Sequence, residues 1–200
     1  MIDKSFQMEQ EEHLLKIVRH LIINSSFCPS MGLYHGKMGI VIALLHYARH
    51  TKDSIYADFA WDILNEVFDG ISLVDSVSLE SGYSGIGWAL VYIIKNNFLD
   101  GDPDFILSEI DEIIGRIDLD KIDDLGVDKG LAGLLCYMKA RNERKIVFSG
   151  TGWPDNIIVP SDRDLLLGIT SDNKVGGDYL NTSLGLADGC SGGVLKALLA

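Results

Sequence analysis

Residues 32–40 read GLYHGKMGI, and this pattern of a glycine pair, GxxG, followed by an apolar run returns three more times. The later copies read SGYSGIGWAL at 81–90, KGLAGLLCY at 129–137 and DGCSGGVLKAL at 188–198. When the glycine pairs are aligned, successive copies lie 46, 48 and 59 residues apart. A period of this size indicates stacked supersecondary units. The aligned pairs are Gly36/Gly39, Gly82/Gly85, Gly130/Gly133 and Gly189/Gly192.

Two kinds of helical pattern alternate around these motifs. Segments that follow a glycine pair are apolar almost all round, which is typical of a helix buried on most faces: 38–49, 86–95, 131–139 and 192–200. The remaining segments carry one apolar stripe and one charged face, which predicts helices with one side in water: 9–24, 55–68 and 102–117. The chain is therefore predicted to be all-α, with inner helices and outer helices taking turns.

One segment, 142–184, interrupts this order. Several glycines and prolines fall there without a clean hydrophobic period, and only 164–169 has the pattern of a short helix. We expect residues 1–200 to form a single domain in which about 142–184 is an irregular insertion. The last apolar pattern continues to Ala200 without a polar or glycine stop, so this end is either trimmed or packed on something.

Composition excludes several classes of function. The chain is 47% hydrophobic and 8% aromatic, as expected of a globular protein, and its formal charge of −12 opposes binding to nucleic acid or to anionic membranes. Three widely spaced cysteines form no CxxC pair, which favours a reducing compartment over a disulfide framework. The amino terminus has no secretory signal pattern, and no stretch is apolar for the roughly 20 residues of a membrane helix. We expect a cytoplasmic protein.

The glycine pairs admit two interpretations. They can serve only as tight turns between antiparallel helices, which is the usual role of a single GxxG. Repeated at four inner-helix starts, however, they would pack four loops around one axis and bring the positive ends of the helix dipoles to a common mouth. Such a mouth would attract negatively charged or carbonyl-bearing ligands.

The sequences GLYHGKMGI, GYSGIGWAL, GLAG and GLADGCSGG resemble the repeated glycine motifs of lanthionine synthetase C-like proteins. The resemblance implies an α/α toroid of inner and outer helices. Family members usually have seven helix pairs, and this chain has room for about four, so we expect a short or partial toroid. The resemblance also implies an activity: competent members hold one zinc ion by two cysteines and one histidine, and add cysteine thiols to dehydrated Ser/Thr residues of a precursor peptide.

The ligand positions of that family lie one and two residues before the first glycine of a pair. Here they are Tyr34 and His35, Glu80 and Ser81, Asp128 and Lys129, and Ala187 and Asp188, with no cysteine among them. One imidazole and three carboxylates favour harder metals or none. We therefore predict no metal ligands in this chain, although the resemblance implies zinc. Cys190 falls on the wrong side of its glycine to be a ligand.

His35 matches the histidine of the family motif GxxHGxxG, where an imidazole can donate or accept a proton near neutral pH. Its alternative role is to hydrogen-bond the mouth loops. We expect substrate-binding side chains from Tyr34, Glu80, Tyr83, Asp128 and Asp188, with helix capping as the alternative for the three carboxylates and a core position as the alternative for the aromatic residues. Trp88 has the same two interpretations.

Three functions remain open at this point. The first is a lanthionine synthetase C-like protein of a peptide-modification system that binds a peptide at the mouth without zinc chemistry. The second is a zinc-dependent cyclase whose site is completed by another chain or by a missing carboxy-terminal half. The third is an α/α-toroid carbohydrate-active enzyme that uses two of Glu80, Asp128 and Asp188 as acid and base. A partial toroid would leave apolar edges, so we also expect association with itself or with a partner subunit.

Overall fold

The computed structural model describes residues 4–141, 159–171 and 179–199, and side chains from Met8 onwards. Within these ranges the regular structure is helical, so the predicted all-α fold is confirmed. The α-helices are α1 Lys4–Asn24, α2 Lys37–Thr51, α3 Ile55–Gly70, α4 Tyr83–Lys95, α5 Pro103–Ile106, α6 Ser108–Gly115, α7 Leu131–Arg141, α8 Asp162–Thr170 and α9 Cys190–Leu199.

The predicted division into inner and outer helices is visible in the burial of side chains. Helices α2, α4 and α7 are buried over nearly their whole length, and α9 over its first half. Helices α3, α6 and α8 each bury one stripe and expose the other face. The inner helices neighbour one another in the order α7, α4, α2, α9, while α3 packs on α2, α6 on α4, and both α1 and α8 on α9. This is a row of inner helices backed by an outer layer.

Two local predictions can be compared with the observed bounds. The short helical pattern at 164–169 lies inside α8, which begins after Ser161, whose hydroxyl accepts the backbone N–H of Asp164. The single helix expected over 102–117 is instead divided into α5 and α6. The break falls at Leu107, where the backbone leaves the helical region (φ −103°, ψ 3°) and the side chain is fully buried. Most of the insertion expected at 142–184 lies outside the described residues.

Neighbouring repeats interlock at the first turn of each inner helix. A Cβ atom added at Gly133, near the start of α7, would lie 2.8 Å from the Cβ of Leu79, which precedes α4. The second glycines of the first two motifs, Gly39 and Gly85, meet Leu186 and Leu33 in the same way. All three leucines stand three residues before the first glycine of their own motif. The second glycine of a pair therefore makes room for the adjacent repeat.

A buried cation joins the last residue of α7 to α5 and α6. Arg141, the last residue of α7, is only 7% exposed, and its guanidinium lies 2.8 Å from carboxylate oxygens of both Asp104 on α5 and Asp111 on α6. A buried guanidinium needs such partners, because an unpaired charge away from water is strongly destabilising.

None of the described helices has the length and apolar character that a bilayer crossing requires.

Candidate functional site

The mouth is built from four loops that share one backbone geometry. In every motif the residue after the first glycine donates its N–H to the carbonyl oxygen seven residues earlier: Lys37 to Ser30, Tyr83 to Ser76, Leu131 to Asp124 and Cys190 to Ser183, over 2.8 to 2.9 Å. The first glycine lies inside this loop. A Cβ at Gly82 would stand 2.3 Å from the Ser76 carbonyl oxygen, so no larger residue fits without a backbone shift.

Backbone hydrogen bonds also join the four loops to one another. Glu80 donates its N–H to the carbonyl of Asp128 at 2.9 Å, Tyr34 donates to the carbonyl of Glu80 at 3.0 Å, and Ala187 donates to the carbonyl of Tyr34 at 3.0 Å. Each of these four residues stands two positions before the first glycine of its motif. The repeats therefore follow one another around the mouth in the order third, second, first, fourth.

His35 lies between two carboxylates from different loops. Its Nδ1 atom is 3.1 Å from Oδ1 of Asp188 in the fourth motif, and its Nε2 atom is 3.5 Å from Oε1 of Glu80 in the second. The imidazole is 47% exposed, so a ligand can reach it. Partial burial acts to raise the pKa of Asp188, but hydrogen bonds from Ser183, at 2.8 Å, and from His35 outweigh burial and hold this pKa below its usual value.

Lys129 extends this cluster and was not among the site residues expected from the sequence. Its ammonium lies 3.4 Å from Oε2 of Glu80, which contacts His35 through its other oxygen. The signal that could have identified Lys129 is its register, because it occupies in the third motif the position that His35 occupies in the first. Asp188, His35, Glu80 and Lys129 thus form a continuous line of alternating acidic and basic side chains across all four motifs; we call it the mouth cluster.

Tyr34 and Asp128 form a second pair beneath this line. The Tyr34 side chain is buried, and its hydroxyl donates to Oδ1 of Asp128 at 2.9 Å. Burial, and then the hydrogen bond to Asp128, raise the pKa of Tyr34 far above its usual value, so the phenol remains a neutral donor. The structure therefore places both residues at the mouth, where the buried Tyr34 side chain joins the first loop to the third.

The two remaining aromatic candidates point elsewhere. The Tyr83 hydroxyl donates to the carbonyl of Ile71 at 3.1 Å, toward the turn that precedes the second motif and not toward the mouth cluster. Trp88 is 1% exposed and its indole N–H donates to Asp162 on α8 at 3.1 Å, which is the core position given above as its alternative. Neither ring joins the contacts around His35.

The residues at the mouth do not fit a zinc site of the kind that the resemblance implies. Both ring nitrogens of His35 face carboxylates. Asp128 accepts a hydrogen bond from Tyr34, and Glu80 forms an ion pair with Lys129. Zinc that activates thiols is held by thiolate or imidazole ligands with one open position. Within residues 4–141, 159–171 and 179–199, no three His, Cys, Asp or Glu side chains are arranged to hold a metal ion.

The three thiols are not part of the mouth cluster, although the Cys28 thiol reaches the backbone carbonyl of His35. Cys28, Cys136 and Cys190 are all buried and free. Burial raises the pKa of Cys136 to about 12 and that of Cys190 to about 11, so both stay protonated at neutral pH. A protonated, buried thiol is neither a ready metal ligand nor a nucleophile. Their side chains pack instead of ligating.

Comparison with known proteins agrees with the motifs. The family model described as lanthionine synthetase C-like protein matches residues 29–200, which include all four glycine pairs and the whole mouth cluster. Searches among curated proteins and among solved structures gave no match.

Proposed function

Because this chain belongs to the lanthionine synthetase C-like family, we propose that it binds a peptide at the mouth, as part of a lanthipeptide-type modification system, without zinc chemistry by its own mouth residues. The observation that carries this proposal is the half-exposed His35 held between Glu80 and Asp188, where loops of three different repeats meet. At the mouth, all four repeats contribute polar side chains to one continuous line.

The arrangement suits an extended peptide for two physical reasons. The loops are fixed to each other by main-chain hydrogen bonds, so little conformational freedom is lost when a ligand binds. The mouth cluster alternates acceptors and donors, and an extended chain offers N–H and C=O groups in alternation. Carboxylates such as Glu80 can accept peptide N–H groups, while Lys129 can donate to carbonyls.

Neither alternative function is favoured by a particular contact. Activation of a cysteine thiol by zinc would require ligands from outside the described mouth, since the donor set there lacks thiolates. A carbohydrate-active enzyme would require two carboxylates facing one cleft as acid and base. Here Glu80 and Asp188 both contact His35, and Asp128 accepts from Tyr34.

A binding measurement with a matched control tests the proposal. The probe is a fluorescein-labelled peptide that contains cysteine and dehydroalanine, and the readout is fluorescence anisotropy. His35→Ala should weaken binding by about tenfold, as expected when one charge-assisted hydrogen bond is lost. His50→Ala is the control, because His50 is 42% exposed and lies 3.0 Å from Glu11 on another part of the surface. Equal affinities for the two variants would contradict the proposal.

The same samples separate binding from cyclisation. Zinc content is measured on the purified protein, and the free thiol of the bound peptide is counted by alkylation and mass spectrometry in the presence of added zinc. We expect no stoichiometric zinc and no loss of peptide thiol. Stoichiometric zinc together with thiol loss would instead support the cyclase whose site is completed from elsewhere.

A further inference from the structure

Each of the four glycine motifs is preceded by a short 3₁₀ turn. The turns are Ser25–Phe27, Ile71–Leu73, Leu119–Lys121 and Tyr179–Asn181. The residue nine positions before the first glycine lies in the turn in every repeat, and in three repeats it is a large apolar residue: Phe27, Leu73 and Leu180. Their exposures are 82%, 83% and 65%. We call these three residues the rim.

The three turns that carry the rim are held at the mouth by side-chain hydrogen bonds within their own repeats. The Cys28 thiol, next to Phe27, donates to the carbonyl of His35 at 3.6 Å. The Tyr83 hydroxyl, at the start of α4, donates to the carbonyl of Ile71 in the turn that carries Leu73. These contacts explain two residues that the mouth cluster does not use. They also keep the rim residues close to the loops that are hydrogen-bonded to one another around His35.

The turn before the fourth motif is fixed in the same way. The Cys190 thiol, in the first residue of α9, donates to the carbonyl of Tyr179 at 3.6 Å, one residue before Leu180. Because the inner helices that follow these turns are neighbours in the order α4, α2, α9, the rim residues lie on three consecutive repeats. Single exposed apolar residues are normal on a protein surface, but the same register in three consecutive repeats is a patterned exposure.

The charge of the surrounding loops indicates what can cover the rim. The loops that carry the rim, in residues 25–36, 71–82 and 179–189, contain three acidic residues and no lysine or arginine, and the neighbouring loop 119–130 contains four acidic and two basic residues. A second copy of this chain would bring the same negative face against itself. A basic segment that also carries large apolar side chains is complementary to both the charge and the exposed rim.

We propose that Phe27, Leu73 and Leu180 form a docking surface for apolar side chains of a basic peptide segment, next to the part of the peptide that lies at the mouth cluster. This inference rests on the proposed function and names the chemistry of its peptide. The rim residues and the apolar side chains of the peptide supply affinity because both are removed from water on binding. The acidic loops favour a positively charged peptide over a negatively charged one. The turn before the third motif carries Lys121 in the equivalent position, so the docking surface ends there.

The test uses three short fluorescein-labelled peptides measured by anisotropy at low and high salt. One contains lysine and leucine spaced by serine, the second has glutamate in place of lysine, and the third has serine in place of leucine. We expect the first to bind most tightly. Replacing each rim residue singly by serine should weaken its binding by about tenfold, as for loss of one buried apolar side chain.

Phe105→Ser is the matched control. Phe105 is 83% exposed, like Leu73, but it lies on α5, beside Asp104, which pairs with Arg141 at the far end of α7. If the rim variants bind as tightly as Phe105→Ser while His35→Ala loses affinity, the rim proposal is overturned and the proposed function stands. If none of these three peptides binds while the peptide that contains cysteine and dehydroalanine does, the rim proposal alone is overturned; if that peptide does not bind either, the proposed function fails as well. If the rim variants only abolish self-association in sedimentation, the rim is a contact between copies instead.

Discussion

Acidification should destabilise this protein through one histidine of an inner helix. His46 on α2 is partly buried, and its Nε2 atom lies 2.8 Å from the hydroxyl oxygen of Tyr92 on α4. Burial, followed by the nearby charge of Arg49, lowers the pKa of His46 from 6.5 to about 4. Burial also raises the pKa of Tyr92, so its hydroxyl is neutral throughout the acid range. The folded protein therefore holds His46 uncharged where the unfolded chain protonates it.

The sign and size of the effect follow from proton linkage. Because the folded pKa is the lower one, the unfolded state binds the extra proton between pH 6.5 and about 4, and the free energy of unfolding falls as pH falls through that range. One pKa unit corresponds to about 1.4 kcal/mol. The titration of His46 should therefore remove about 2 kcal/mol of stability between pH 8 and pH 5, before most carboxylates protonate.

The assay is denaturant unfolding at pH 8 and at pH 5, followed by circular dichroism. His46→Gln keeps a polar partner for Tyr92 but cannot titrate, so its loss of stability over this interval should be about 2 kcal/mol smaller than that of the wild type. His50→Gln, on the exposed end of the same helix, is the matched control variant. A wild-type slope that persists in His46→Gln would refute the reasoning.

Three further predictions concern stability and association. Gly82→Ala should cost several kcal/mol in denaturant unfolding, because its Cβ would stand 2.3 Å from a carbonyl oxygen. Gly168→Ala has open space around it in α8, so it should be neutral or stabilise the protein by about 0.5 to 1 kcal/mol. Equal effects of the two substitutions would contradict this prediction. Arg141→Met should cost about 3 kcal/mol at low salt, since it removes the buried guanidinium that pairs with Asp104 and Asp111, and a loss under 0.5 kcal/mol would contradict it. Sedimentation should show a mass above 22.0 kDa through association with itself or a partner subunit, and a clean monomer would contradict this.

The helices were predictable because their signals are local. An apolar run after each glycine pair predicts an inner helix, and the first one expected at 38–49 is observed as Lys37–Thr51. The break at Leu107 was not predictable, because the stripe of apolar residues continues across it and only tertiary burial turns that side chain inward. The neighbourhood of α9 and α2 likewise depends on contacts between residues about 150 positions apart.

The candidate site was predictable in position more than in contacts. Aligning the motifs brought His35, Glu80, Asp128 and Asp188 to one mouth, where the structure also places them. Side-chain direction did not follow from the alignment, since Tyr83 turns back to its own repeat. The regular exposure of the rim residues had a signal in the sequence, the constant nine-residue distance to the first glycine, but apolar residues at that distance can be buried as easily as exposed.

The loops around the mouth share one set of main-chain hydrogen bonds. The seven-residue N–H to C=O bond in each repeat, and the bonds that link the repeats, involve no side chain at the two positions before the first glycine. These main-chain bonds therefore persist when the side chains at those eight positions are exchanged, although replacing Tyr34 or Asp128 also removes the hydrogen bond between their side chains. An engineer could place cysteine or histidine there, or remove them, and change the chemistry of the mouth while the architecture keeps its shape.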